Sequence, residues 1–328
     1  MSLAAGPAET LRLLDVPDPV AGPGEVVIDV AACAVNFPDV LLIEDRYQHR
    51  PPRPFAPGIE VAGTVSAKGP GVVGFSVGTR VLALVDVGGM AERCVAAVTQ
   101  TFEIPDVMPF DQAAALCVTY GTSLHALDDR ALLRSGETVL VLGAASGVGL
   151  AAIEIAKSRG ARVVAAASSA ERVAVAREHG ADVGVIYPRG PFDAKESRAL
   201  AALFKDACGP RGWDVAYDPI GGDYAEAAVR AAAWESRYLV VGFVAGIPRL
   251  PLNLVLLKAC SIVGVLWGAA IRREPQRLHR QFQSLIEMYL SGAIRPHVSA
   301  HVPLSRGAEA IASLANRQAL GKVVVIRD

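Results

Sequence analysis

Cysteine is scarce in this chain and forms no pattern: Cys33, Cys94, Cys117, Cys208 and Cys260 are odd in number, scattered, and never in a CxxC pair. That argues against a disulfide framework and a four-cysteine zinc lobe, and leaves the thiols as small buried hydrophobes. Histidine is equally sparse, at His49, His125, His179, His279, His297 and His301. Only His297 and His301 have i, i+4 spacing, and they fall in a stretch with loop or strand character, so no metal site is expected. A charge excess is also lacking: 32 Lys and Arg against 33 Asp and Glu give a formal net charge of -1, without the basic footprint of a nucleic-acid protein. No uninterrupted apolar run reaches the ~18 residues of a membrane span. The N-terminal MSLAAGPAETLRLLDVPDP has neither a basic start nor a long apolar core. The expectation is a cytoplasmic protein with no nucleic-acid or membrane partner. What is present is 52% hydrophobic and 20% charged residues over a length of 328, a well-cored globular chain with room for two domains.

Residues 138–169, TVLVLGAASGVGLAAIEIAKSRGARVVAAASS, organise the rest. A β-branched run at 138–142 is followed by a small, flexible turn at 143–149. Leu150, Ile153 and Ala156 then stand at helical spacing, and a second strand is expected at 162–167. This is a βαβ unit whose turn, Ser146-Gly147-Val148-Gly149, can bring backbone against a pyrophosphate at the positive end of a helix. A strict GxGxxG is absent; Ala144-Ala145 precede Ser146. NAD sites place an acid about 20 residues past such a turn, but here that region reads Ala166-Ala167-Ser168-Ser169-Ala170-Glu171-Arg172. Small hydroxyl residues leave room for a 2′-phosphate, and Arg172 offers a forked cation, so NADPH is the expected cofactor.

Upstream, residues 25–98 are short strands punctuated by glycine and proline, which predicts a small barrel or sandwich. Residues 111–134 turn alanine-rich and helical, with Gly121-Thr122 expected near a junction between two helical pieces. Downstream, strands at 183–186, 215–218, 238–241 and 261–265 alternate with helices at 169–179, 197–208 and 224–233. Helices at 274–290 and 304–316 precede a final strand at 322–326. The fold class is α/β, a doubly wound parallel sheet joined to a β-rich domain.

Together with the AASGVG turn, the stretches AVNFPD at 34–39, PGIEVAG at 57–63, GFSVGTRV at 74–81, DPIGG at 218–222 and GKVVV at 321–325 resemble the zinc-free quinone oxidoreductase (zeta-crystallin-like) branch of the medium-chain dehydrogenase/reductase superfamily. The resemblance implies a GroES-like catalytic domain begun by residues 1–118, a Rossmann NADP(H)-binding domain at 119–260, and an edge strand, helix and return to the catalytic domain at 261–328, with the active site in the cleft. Zinc-dependent relatives carry a ligand Cys where this chain has Asn36 and a ligand His where it has Ile59, so metal-free chemistry is implied.

The same resemblance places Asn36, Phe37, Asp39 and Leu41 beside the nicotinamide and Tyr47 at the substrate entrance. An Asn36 amide can donate to a carbonyl oxygen, although Asn36 and Asp39 equally suit a helix cap. Ser146, Gly147, Val148 and Gly149 fall on the pyrophosphate, Ser168 and Arg172 around the 2′-phosphate, and Tyr187 near the adenosine. Gly242, Phe243 and Val244 meet the nicotinamide, and a loop of Leu266, Trp267 and Gly268, with Arg317, completes the cofactor set. Trp267 also reads as core packing. The implied activity is NADPH-dependent hydride transfer to a quinone or enone. The alternatives are a 2-enoyl thioester reductase and a nonenzymatic NADPH-binding protein. A homodimer is implied, with the apolar run at 261–267 pairing across a twofold axis.

Overall fold

The β-branched runs bounded by glycine, proline and charged residues become strands. In chain order these are β1 (Glu25–Ala34), β2 (Glu60–Lys68), β3 (Arg80–Leu84), β4 (Arg93–Ala97), β5 (Thr101–Glu103), β6 (Thr138–Leu142), β7 (Arg162–Ala167), β8 (Val183–Ile186), β9 (Trp213–Asp218), β10 (Ala232–Val240), β11 (Ser261–Gly264), β12 (Val298–Pro303) and β13 (Lys322–Ile326). The helices are α1 (Phe37–Ile43), α2 (Phe110–Ala114), α3 (Cys117–Leu124), α4 (Gly147–Ser158), α5 (Ala170–Glu178), α6 (Ala194–Cys208), α7 (Tyr224–Arg230), α8 (Leu252–Lys258), α9 (Trp267–Arg273), α10 (Pro275–Leu290) and α11 (Gly307–Ala315). The computed structural model describes residues 1–328 and divides into two units, 1–118 with 296–328, and 119–295. The stretch 261–328 is thus shared between the units, parting at Arg295 and Pro296.

In the first unit the strand order is β12-β13-β1-β2-β3-β5, with β4 also on β1. Every pair is antiparallel except β12 with β13. Val26, Ile28, Val30, Val61, Val65, Val81, Val323 and Val325 fill its core. The register has a direct consequence for polar chemistry. Ala34 of β1 faces Val324 of β13, and Cys33 faces Val61 of β2. Two residues further along, the same alignment brings Lys322 opposite Asn36, and Glu60 falls beside Ala34.

In the second unit six parallel strands run in the order β11-β10-β9-β6-β7-β8. The order in which the chain adds strands reverses about β6, where β7 lies on one side and β9 on the other. That is the topological switch point at which doubly wound sheets bind ligands. No helix in the chain is long and apolar enough to cross a membrane. All five cysteines are buried free thiols.

The structure departs from the sequence expectations in four places. Helix α7 stops at Arg230, so Ala232 and Ala233 open β10, whose register slips between Ala232 and Arg237. Gly121 lies inside α3 rather than at a junction, because a Cβ there would come within 2.4 Å of the Trp267 ring. Leu266 precedes a helix, α9, instead of opening a loop. Helix α8 was not foreseen: Leu252, Leu256 and Leu257 are all exposed, so no buried stripe marks it in sequence.

Candidate functional site

In the first unit the register assembles a closed polar cluster. Lys322 is buried at the start of β13, and its Nζ donates to Val35 O (2.9 Å), Asn36 Oδ1 (2.8 Å) and Glu60 Oε1 (2.8 Å). An ammonium has three protons, and all are used. Asn36 Nδ2 donates to Glu60 Oε1 (2.8 Å) and to Ala34 O (3.2 Å). The other Glu60 oxygen accepts the Val118 N–H at 2.7 Å. Asp39, fully buried on α1, accepts from Asn36 N (2.7 Å) and Gly58 N (2.9 Å). Burial pushes the Asp39 carboxyl up to about 6, against the pull of those two backbone bonds and of Lys322. A buried cation and carboxylate are tolerated because the remaining lone pairs and protons find partners.

This geometry corrects one expectation. Both amide protons of Asn36 are bound to protein oxygens, so Asn36 offers no N–H to a substrate carbonyl. Asn36 and Asp39 build the turn into α1: the carboxylate caps the Asn36 N–H and ties it to Gly58. Phe37 and Tyr47 are half-buried and packed on the core of this unit, with Leu41 at an intermediate position on α1. Arg317 is exposed after α11, at a left-handed φ of 57°.

In the second unit the turn after β6 is built differently. Ser146 caps α4, its Oγ accepting from Gly149 N at 3.1 Å, and its own N–H donates to Gly143 O at 2.9 Å. Leu150 N reaches Ser146 O at 2.9 Å. The N–H groups of Gly147 and Val148 have no partner within the protein, and they open a helix of 12 residues. That is a ready anion cradle. Gly149 serves a different purpose from the one expected of it: a Cβ there would stand 2.5 Å from Gly143 O and 2.8 Å from Ala144 O. Its bareness lets the helix pack on the turn.

No acidic side chain ends β7. Ser168 follows it, half-buried, and Ser169 caps α5 by accepting from Arg172 N at 3.3 Å. Tyr187 is buried just past the end of β8, packed on Tyr224 with ring centroids 4.9 Å apart and planes tilted by 57°. Burial raises its phenol, while the Gly143 N–H bond and the nearby Arg172 guanidinium act the other way. Tyr187 and Gly143, each just past the carboxyl end of a strand, therefore meet, and Arg172 stands on the first turn of α5, near enough to act on the phenol electrostatically. Asp218 at the end of β9 accepts from Ile220 N (2.7 Å), Gly221 N (2.9 Å) and the Tyr238 hydroxyl, which fixes the loop after β9. That loop is laced to the one after β10 by Gly222 N to Gly246 O (2.7 Å) and Ala245 N to Ile220 O (2.8 Å). Gly242 and Val244 are half-buried on the second loop, and Phe243 projects outward.

Trp267 is a further correction. It is buried, its Nε1 donates to Gln281 Oε1 at 2.8 Å, and its ring covers Gly121. It packs the interior of its own unit, leaving Leu266 exposed and Gly268 on the first turn of α9. Sequence reasoning missed Lys322, Glu60 and Tyr238. The available signal for the first was a lone lysine opening an otherwise apolar strand, which demands partners if buried.

Two family descriptions match in succession, an alcohol dehydrogenase GroES-like domain at residues 22–106 and a zinc-binding dehydrogenase at 147–287. The side chains do not fit zinc: no three His, Cys, Asp or Glu residues stand together to hold a metal ion, and Glu60 is already occupied by Lys322, Asn36 and Val118. Rat quinone oxidoreductase-like protein 2 is 37% identical over 319 residues, spanning 97% of this chain and 89% of the relative. Rat quinone oxidoreductase is 31% identical over 324 residues, spanning 98% and 95%. A mycobacterial protein solved in complex with NADPH superposes with a TM-score of 0.89 at 29% identity, covering 98% of this chain and 97% of that one. With a GroES-like unit, a Rossmann unit and identity along nearly its whole length, the chain belongs to the quinone oxidoreductase branch of the medium-chain dehydrogenase/reductase superfamily.

Proposed function

We propose that the protein is an NADPH-dependent oxidoreductase that reduces a small quinone or an activated enone without a metal. The observation that carries this reading is the turn of the Rossmann unit. It presents two unpartnered N–H groups at a helix start, and no acid ends β7, where an NAD site has one; Ser168 and Arg172 follow instead. When bound, NADPH supplies a hydride.

The chain's own part is binding, orientation and exclusion of water. Gly147 and Val148, on the Ser146-capped helix, hold the pyrophosphate. Arg172 and Ser168 take the 2′-phosphate. Tyr187 accepts from Gly143, and its raised phenol keeps a proton to donate to the adenosine end. Gly242, Phe243 and Val244 line the nicotinamide, with Leu266, Gly268 and Arg317 as outer contacts. Phe37, Leu41 and Tyr47 supply the apolar walls at the reacting end, on the frame that Asn36 and Asp39 build. No side chain need ionise, because a quinone accepts hydride without prior activation.

A homodimer suits the apolar surface of the Rossmann unit. Strand β11 is the edge of its sheet with Ile262 exposed, and α8 presents Leu252, Leu256 and Leu257 to solvent. Buried free thiols and the absence of a spanning helix suit the cytoplasm.

The test is NADPH oxidation against small quinones, enones and 2-enoyl thioesters, with alcohols and NADP+ in the reverse direction. Quinone or enone turnover without alcohol oxidation is expected. Turnover of 2-enoyl thioesters far above quinones would reassign the substrate, and inactivity across the panel would make this an NADPH-binding protein without catalysis.

A further inference from the structure

We propose that Lys322 is a positioning residue for this reaction: its buried ammonium fixes the Asn36 amide, and through it the Asn36–Leu41 segment that the reading above assigns to the reacting end. The inference rests on that reading. Asn36 Oδ1 accepts from the ammonium at 2.8 Å while Nδ2 donates to Glu60 at 2.8 Å. Turning the amide over would set N–H against the ammonium and an oxygen against the Glu60 carboxylate, so only one orientation is compatible with the charges. The Asn36 main chain is held at the same point: the preceding carbonyl, Val35 O, also accepts from Lys322, and the Asn36 N–H is held by Asp39. One cation thus joins residues 35, 36, 60 and 322. Lys322 is the cation that Asn36 Oδ1 faces, at 2.8 Å.

A purely structural ion pair and a positioning cation make different predictions once stability is restored. Lys322→Met alone leaves Glu60 buried and unpaired, whereas Lys322→Met with Glu60→Gln removes both charges and restores neutrality. In that double variant Asn36 and Gln are two neutral amides, so the charges no longer impose the orientation and only the 3.2 Å bond from Asn36 Nδ2 to Ala34 O still favours it. The double variant is expected to melt within a few degrees of the parent. Its kcat with a small quinone should fall about tenfold to a hundredfold while KM for NADPH stays within about twofold, because the phosphates are held in the other unit. Asn36→Ala, which keeps the Lys322–Glu60 pair, should show the same split and gives a second reading if the double variant folds poorly.

Parental kcat in a stably folded double variant, or in Asn36→Ala, overturns the inference and leaves the proposed function standing. Equal loss in kcat and NADPH affinity also overturns it, since that marks general disorder. A parent protein that reduces none of the acceptors removes the proposed function, and the inference with it.

Discussion

The two units treat their polar groups in opposite ways. In the GroES-like unit, Lys322, Glu60, Asn36 and Asp39 are buried and turned entirely on one another and on nearby backbone. In the Rossmann unit, the N–H groups of Gly147 and Val148 are left open at the start of α4, and Arg172 is half-buried on the first turn of α5. The first arrangement holds a shape and has nothing left to give a ligand. The second leaves its donors open.

That contrast is tested most severely at Lys322. Substituting Met alone should destabilise the protein by about 3–5 kcal/mol, the penalty for stranding a buried carboxylate. Urea unfolding measures it, and a loss near zero would mean the cluster is not closed in solution.

The next effect belongs to the open site. Arg172→Ala should weaken NADPH by about 1.5–3 kcal/mol, the range for a charge-assisted contact, and leave NADH nearly unchanged. Titration by cofactor fluorescence distinguishes the two, and equal weakening would take Arg172 out of the phosphate pocket.

Gly149→Ala should follow, at about 1–3 kcal/mol for forcing a methyl into a packed turn. Here stability and NADPH affinity should fall together, because the methyl would press on Gly143 O and Ala144 O at the base of the cradle. Unchanged thermal unfolding would show that the turn yields.

The smallest effect is a drift with pH. Burial raises Asp39 to about 6 from its ordinary 3.8, so the folded state binds its proton more tightly than the unfolded chain. Its contribution is fully present below the unfolded value and is lost as pH rises through 6. Relative to Asp39→Asn, the parent should therefore gain stability between pH 6 and pH 4. A difference that stays flat over that window, or runs the other way, would mean the two backbone bonds outweigh desolvation.

The same contrast explains what could be read in advance. The nucleotide turn is local: strand, cap, glycine and helix lie within residues 138–158, and β6, β7, β8 and β13 have the limits their β-branched runs suggest. The polar cluster is not local. Lys322 and Asn36 are 286 positions apart and meet only through the β1 and β13 register, which no short window contains. Asn36 was legible as a polar residue at a turn, but its donors were not visibly committed until Glu60 and Lys322 were placed. Trp267 shows a similar limit, since an aromatic beside glycine suits a ligand loop or a helix start, and only Gln281 and Gly121 decide between them.

The most direct measurement is the rate of NADPH oxidation with a small quinone before and after exhaustive treatment with a strong zinc chelator. With Glu60 taken up by Lys322 rather than free for a metal, the rate should be the same in both samples. A rate that vanishes with the chelator and returns on adding zinc would contradict the account.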